Sequence, residues 1–341
     1  MSTQDTLLSV ADLQVDYQVG ASTVRAVDRA TFDVPRGAIV GLVGESGCGK
    51  TTMASAITRI ISDNATISGG QMVFDGTDLV SLSERQMNRL RWRDIAFIPQ
   101  SAMNSLDPVY TVEYQLNEVL RGRGGLSRRA ARVRSEELFE MVGIEPGRLK
   151  DFPHQFSGGM RQRVAIALAL ALDPKLIIAD EPVTALDVIV QRQILDQLRS
   201  LQQMLGISVV MVTHDISVVA YTCDHTVVMY AGKVVESGRT ADLLRTPVHP
   251  YTMGLKNAFP DLKGAEQGLL TPIEGAPPSL MNPPDGCRFA NRCPFALEMC
   301  RSVDPALMAG QDGHAVACHR AAEAPALRAE AVKYETWQEN T

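Results

Sequence analysis

Gly44-Glu45-Ser46-Gly47-Cys48-Gly49-Lys50-Thr51-Thr52 is the stretch whose reading decides the fold. The apolar run Ala38–Val43 precedes it, and Met53–Arg59, of helical composition, follows. An apolar strand, a glycine-rich loop and a helix, in that order, are the context a P-loop requires. The glycines let successive backbone N–H groups turn inward without a Cβ in the way. The helix start adds its positive dipole end, so phosphate oxygens settle there. Ser46, Gly47, Cys48, Gly49 and Thr52 are the expected cradle positions. Lys50 can reach the β- and γ-phosphates, and the Thr51 hydroxyl can ligate Mg²⁺.

A chain of 341 residues can hold one large domain and a smaller one. An apolar fraction of 45% supports a sizeable core, and 21% charged residues suit a soluble protein. The formal net charge of −6 provides no global basic field for nucleic acid. Val164–Leu172 is apolar, but Asp173-Pro174 ends it well short of transmembrane length. Met1-Ser-Thr-Gln-Asp5 lacks a signal-peptide pattern, so the expectation is a cytoplasmic protein. Any membrane work then needs other subunits to do the spanning. Cys48 and Cys223 stand alone, whereas Cys287, Cys293, Cys300 and Cys318 crowd one region. In a reducing compartment such a cluster points to metal before disulfides.

Along the chain, Leu7–Tyr17 and Val24–Val34 alternate apolar and polar residues. That pattern predicts strands of a mainly antiparallel sheet beside the nucleotide core. Tyr17 reads either as an aromatic that stacks on adenine or as a half-buried strand tyrosine. Ser68-Gly-Gly70 followed by Gln71–Phe74 and Asp75-Gly76 reads as a strand and a turn. Ile95–Ile98 is a short strand ending at Pro99-Gln100. From Val112 to about Gly147 the pattern is helical, interrupted at Gly122–Gly125, and Arg128–Arg134 reads as a solvated face.

Ser157-Gly158-Gly159 opens an alanine-rich helix, with Ser157 as N-cap and two bare amides behind it. Leu176–Asp180 is a buried strand ending in the carboxylates Asp180 and Glu181. At the carboxyl edge of a parallel sheet, Asp180 is suited to hold Mg²⁺ and Glu181 to orient or deprotonate a water. Ala185-Leu-Asp187 opens a further helix, and Ile207–Thr213 is a strand ending at His214. Thr226–Tyr230 and Lys233–Glu236 read as a hairpin turning at Ala231-Gly232. From Pro247 the composition shifts to prolines and then cysteines, and such a short, turn-rich module needs a staple.

Gln100, Ser157-Gly158-Gly159, Asp180-Glu181, Asp187 and His214 stand in order behind the P-loop. Together they resemble the nucleotide-binding subunit of an ABC transporter, over essentially the whole chain. Gln100–Pro108, His249-Pro-Tyr251, Gly275–Pro278 and the cysteine module are similar to ATPases of the dipeptide/oligopeptide importer family. One departure is Cys48, where that loop usually carries serine. The position contributes its backbone amide, so little loss is expected.

The resemblance implies an α/β fold, a P-loop NTPase core of the ABC ATPase kind. It comprises a RecA-like sheet, an antiparallel β subdomain and a helical subdomain at about 101–158, all within residues 1–246. A small cysteine-rich module would occupy 247–341. Tyr17 would stack on adenine, and Gln100 would join Thr51 and Asp180 at Mg²⁺. Ser157-Gly158-Gly159 would be the signature, and Asp187 the D-loop aspartate. Glu181 would be the general base, with Lys50 and His214 at the γ-phosphate. Two such ATPases would pair head to tail, each signature capping the other's ATP. Two transmembrane permease subunits and an extracytoplasmic substrate-binding protein would complete an importer at the cytoplasmic face of the inner membrane. For Cys287, Cys293, Cys300 and Cys318 the donor set suits a [4Fe–4S] cluster or zinc, and the resemblance favours iron–sulfur. A rival reading is a soluble ABC ATPase acting on nucleic acid or in translation. The single cassette and acidic balance speak against it.

Overall fold

A computed structural model describes residues 5–100, 105–184, 186–258, 273–310 and 313–338. The two alternating stretches form β1 (Thr6–Val19) and β2 (Ser22–Pro35), a long antiparallel hairpin. The buried strand before the glycine loop is β3 (Ile39–Val43), and the loop runs into α1 (Lys50–Thr58). Next come β4 (Ala65–Phe74), β5 (Thr77–Asp78), α2 (Glu84–Leu90) and β6 (Ile95–Ile98). The four strands β2-β1-β4-β5, in that order, make an antiparallel sheet.

The Ser68–Gly70 glycines lie within β4. Gly70 has φ +86°, and a Cβ there would approach the Asp12 carbonyl oxygen to 2.4 Å. The pair lets β4 pass a bulge in β1 at Asp12, whose own φ is 48°.

The helical stretch begins with α3 (Val112–Asn117), capped by the Thr111 hydroxyl. It widens into a π-helical turn at Glu118–Arg123 and stops at the glycines that follow. Ser127 caps α4 (Arg128–Met141), whose inward residues Ala131, Leu138 and Phe139 are fully buried. Ser157 caps α5 (Gly158–Ala169), accepting from the Met160 amide at 3.3 Å. Strand β7 (Leu176–Asp180) precedes α6 (Val188–Leu205), and β8 (Ser208–Thr213) precedes α7 (Ile216–Thr222). The predicted hairpin is β9 (His225–Tyr230) and β10 (Lys233–Arg239), turning through Ala231 and Gly232 at positive φ. Helices α8 (Thr240–Arg245) and α9 (Pro250–Asn257) follow. The cysteine region holds α10 (Glu298–Ser302), β11 (Met308–Ala309), β12 (Ala315–Val316) and α11 (Ala324–Ala331).

The second sheet runs β11-β12-β10-β9-β3-β8-β7-β6. Strands β9, β3, β8, β7 and β6 are parallel. Their alternate side chains feed two cores, which is why each reads as a continuous apolar run. Val40, Leu42, Ile178, Val210 and Val212 pack with Met53 and Ile57 of α1 under the antiparallel sheet. Ile39, Val43, Ile177, Ala179, Val209 and Met211 face α5, α6 and α7. The carboxyl ends of β3, β7 and β8 therefore emerge together, where ligands of open α/β sheets bind. Strand β12 pairs with β10 through Glu236↔Val316, so the cysteine region adds to the rim of the sheet that carries the parallel strands. Among the described residues, no helix is long and apolar enough to cross a membrane.

Candidate nucleotide site

The loop after β3 is held open by contacts that exclude side chains. A Cβ on Gly44 would fall 2.1 Å from the Met229 carbonyl oxygen. Gly49, at φ +102°, would meet the Ala26 carbonyl oxygen at 2.3 Å. Neighbouring strands thus shape the loop's backbone from behind, leaving Ser46 and Gly47 exposed in front. Lys50 is buried, and its Nζ donates to the Gly44 and Glu45 carbonyls at 2.7 and 2.8 Å. Its amine is thereby held over the loop it would share with phosphates. Cys48 is buried at 1% exposure, and burial is the largest cause of its raised thiol pKa. The sulfur fills core space beneath the loop, and Cys223 packs against Gly41 in the same way.

Asp180, at the end of β7, is buried and raised above the usual carboxylate range. Desolvation is the main cause, opposed by a hydrogen bond with Thr51. Its Oδ1 has no hydrogen-bond partner. A buried carboxylate oxygen left open beside the Thr51 hydroxyl fits a hydrated divalent cation.

Glu181 has φ 47°, a backbone region that non-glycine residues seldom adopt, and its amide donates to the Val212 carbonyl at 2.8 Å. Its carboxylate meets three donors. Gln100 Nε2 lies 3.1 Å from Oε2, Thr184 Oγ1 2.9 Å from Oε2, and His214 Nδ1 2.9 Å from Oε1. Burial raises the Glu181 pKa, but the hydrogen bonds from His214, Thr184 and Gln100 outweigh it and leave it lowered. The carboxylate is an anion, oriented at both oxygens. Of the expected Thr51, Gln100 and Asp180 set, Thr51 hydrogen-bonds Asp180, and Gln100 is engaged by the adjacent Glu181.

Tyr17 is half-buried at the end of β1, with its hydroxyl 3.4 Å from Thr52 Oγ1. Both sequence readings of it stay compatible with that position. Ser157, Gly158, Gly159 and Asp187 make a second assembly. Asp187 caps α6, accepting from the Ile189 and Val190 amides at 3.1 and 3.0 Å. A Cβ on Gly159 would meet Val190 Cγ1 at 2.6 Å, so the two helix starts pack directly. Val188 and Ile189 beside them are 79% and 72% exposed.

Sequence reasoning missed Thr184, although it stands three residues past Glu181. It also missed Arg292, whose Nη1 lies 3.0 and 2.8 Å from the two Glu45 carboxylate oxygens. The four clustered cysteines line one small cavity, with His249, Phe289 and His319. Among the described residues, no three His, Cys, Asp or Glu side chains are grouped to hold a metal ion. Burial pushes the Cys287 thiol up to about 11 and raises those of Cys293 and Cys318, so these three sulfurs are protonated as they stand.

A glycine loop between strand and helix, with carboxylates on the neighbouring parallel strands, defines an ATP-binding cassette of the P-loop class. The ABC transporter family model matches residues 27–184, and the oligopeptide/dipeptide transporter C-terminal region matches 235–300. The chain is 46% identical to a probable peptide ABC transporter ATP-binding protein of Sinorhizobium fredii, over 94% of this chain and 96% of that one. It is 44% identical to the dipeptide transport ATP-binding protein of Bacillus subtilis, over 92% and 94%. Among solved structures, the ATP-binding cassette MJ0796, a dimer bound to ADP and phosphate, superposes with a TM-score of 0.61. That match has 28% identity and covers 68% of this chain and 98% of that one. The chain belongs to the ABC transporter ATP-binding proteins, in their oligopeptide/dipeptide branch.

Proposed function

We propose that this chain hydrolyses MgATP to power uptake of peptides by an ABC importer. The observation that carries the reading is Glu181: an ionised, three-fold hydrogen-bonded carboxylate next to the cation-ready Asp180 and across from the phosphate loop. ATP would lie with its phosphates on the amides of Ser46–Thr52 and its adenine against Tyr17. Lys50 would leave its two loop carbonyls for the β- and γ-phosphate oxygens. Thr51 and Asp180 would hold Mg²⁺, joined by Gln100. When bound, the ion offsets charge on the β- and γ-phosphates. Glu181 would take the proton of the attacking water, and His214 would orient that carboxylate and reach the γ-phosphate.

Ser157-Gly158-Gly159 and Asp187 would complete the site of a second, homologous ATPase subunit. The exposed Val188 and Ile189 beside them support a covered face, and the likeness to a dimeric cassette supports the pairing. Two permeases would receive the helical region at about 101–158, and an extracytoplasmic binding protein would deliver cargo. The chain would work peripherally at the cytoplasmic face of the inner membrane. Residues 1–246 would serve as the ATPase domain and 247–341 as an accessory module. The named relatives are transport proteins, so the nucleic-acid reading is set aside.

Cys287, Cys293, Cys300 and Cys318 would hold a [4Fe–4S] cluster. The gathering of all four thiols around one cavity supports this. A bound cluster would staple the module. Iron and sulfide analysis of anaerobically purified protein tests it, and colourless, iron-free protein would end that assignment.

For the ATPase reading, Glu181→Gln in the assembled importer is expected to bind ATP and stall. Turnover should fall at least about a hundredfold. Wild-type turnover would remove Glu181 from its role.

A further inference from the structure

Glu45 is an odd residue for its place. It puts a carboxylate on the second position of a loop whose task is to receive a polyanion. Its neighbours in space explain how the loop tolerates it. Arg292, 8% exposed at its side chain, donates from Nη1 to both Glu45 oxygens and to the Tyr230 hydroxyl at 3.1 Å. The rest of the guanidinium is fixed from behind. Nε donates to the Glu274 carbonyl at 2.8 Å and Nη2 to the Ile273 carbonyl at 3.1 Å. The Glu45 amide in turn donates to the Tyr251 hydroxyl at 2.9 Å, and the Glu45 carbonyl holds Lys50. Tyr230, Tyr251 and Phe289 pack their rings edge-on or tilted around this junction.

A second strut reaches the loop's other end. Arg288 donates to Asp28 Oδ2 at 2.6 Å and to the Ala231 carbonyl. The next residue in that turn, Gly232, donates to the Cys48 carbonyl at 2.9 Å and accepts from the Asp28 amide at 2.8 Å. Both arginines are sequence neighbours of cavity-lining cysteines, in Cys287-Arg288 and Arg292-Cys293.

We propose that Arg292 is a positioning residue of the nucleotide site: it neutralises Glu45 and turns it from the phosphates, so that the cysteine module sets the chain's affinity for nucleotide. This rests on reading Gly44–Thr52 as the phosphate loop. Without the guanidinium, a partly buried anion would stand unpaired where the triphosphate must arrive. The penalty grows with ligand charge, so ATP suffers more than ADP, and adenosine is indifferent.

The test is equilibrium binding of a fluorescent ATP analogue to the full-length chain with Mg²⁺. Arg292→Ala is expected to weaken ATP roughly tenfold and ADP less. Adding Glu45→Gln to that variant is expected to restore affinity to within about threefold of wild type, which a merely structural arginine would not allow. Arg292→Lys, which keeps the charge but not the guanidinium's bonds to the Glu274 and Ile273 carbonyls, should lose clearly less than Arg292→Ala, with its melting temperature recorded alongside. Unchanged ATP affinity in Arg292→Ala, no recovery in the double variant, or a tenfold loss in a normally melting Arg292→Lys would each overturn the proposal. Lys50→Ala separates the two claims. If it binds ATP normally, the phosphate-loop reading falls; if it fails to bind while Arg292→Ala binds normally, only the coupling falls.

Discussion

His214 Nδ1 lies 2.9 Å from Glu181 Oε1, while Gln100 and Thr184 occupy Oε2. The carboxylate at the end of β7 is therefore gripped from three chain segments before any ligand arrives. Hydrogen bonds to the charged form hold its pKa below the usual range despite burial. The acid limb of the ATPase pH profile should accordingly lie below the ordinary glutamate value. Thr184→Val removes one donor, so that limb should move upward in pH, with turnover at pH 8 falling less than about tenfold. A limb that stays in place would mean another group governs it.

Two histidines should pull stability in opposite directions with pH. His249 is fully buried, caps α9 by accepting from the Tyr251 amide, and burial pushes its pKa down to about 4. The unfolded chain protonates it near pH 6.5, so stability is complete above that and declines as pH falls toward 4, by up to roughly 3 kcal/mol. His249→Asn keeps a capping side chain and should flatten that decline. His314 is the reverse: its hydrogen bond to buried Glu236 raises its pKa. Its contribution is complete below the unfolded value and lost as pH rises through the folded one. The deficit of His314→Ala in denaturant titrations should thus shrink between pH 6 and pH 8.5.

Glycines divide by what surrounds them. Gly44→Ala drives a methyl into the Met229 carbonyl and should cost about 3 kcal/mol together with nucleotide binding. Gly76 has φ +81° and open space around its Cβ position, so Gly76→Ala should cost only about 1 kcal/mol, with nucleotide affinity intact. Chemical denaturation of both variants checks the contrast.

Tyr251→Phe removes the acceptor of the Glu45 amide in a buried setting. A loss of about 1–3 kcal/mol in unfolding free energy is expected. A neutral result would mean that the amide finds another partner.

Much of the site could be read from the chain alone because each chemical residue sits where an apolar run stops. Leu176–Ala179 points to a buried strand, and Asp180-Glu181 then stands at its carboxyl end. Ser157 and Asp187 announce helix starts by capping chemistry that is local in sequence. What stayed hidden is long-range or aperiodic. Arg292 and Glu45 are 247 positions apart, and an ion pair leaves no local pattern at that separation. Strand β12 has two residues, too few for alternation to register. The π-helical turn at Glu118–Arg123 has the composition of an ordinary helix. Gly69-Gly70 carries no sign in sequence of the bulge it passes at Asp12.

The pairing of β12 with β10 has a practical corollary for protein production. A cassette truncated after residue 246 would lose the backbone partners of Glu236 and Ser237, and the Glu236 carboxylate would lose the Val248 and His249 amides and His314. The freed margin would be an adhesive seam of unsatisfied amides and carbonyls, so shortened versions should clump where the intact chain does not.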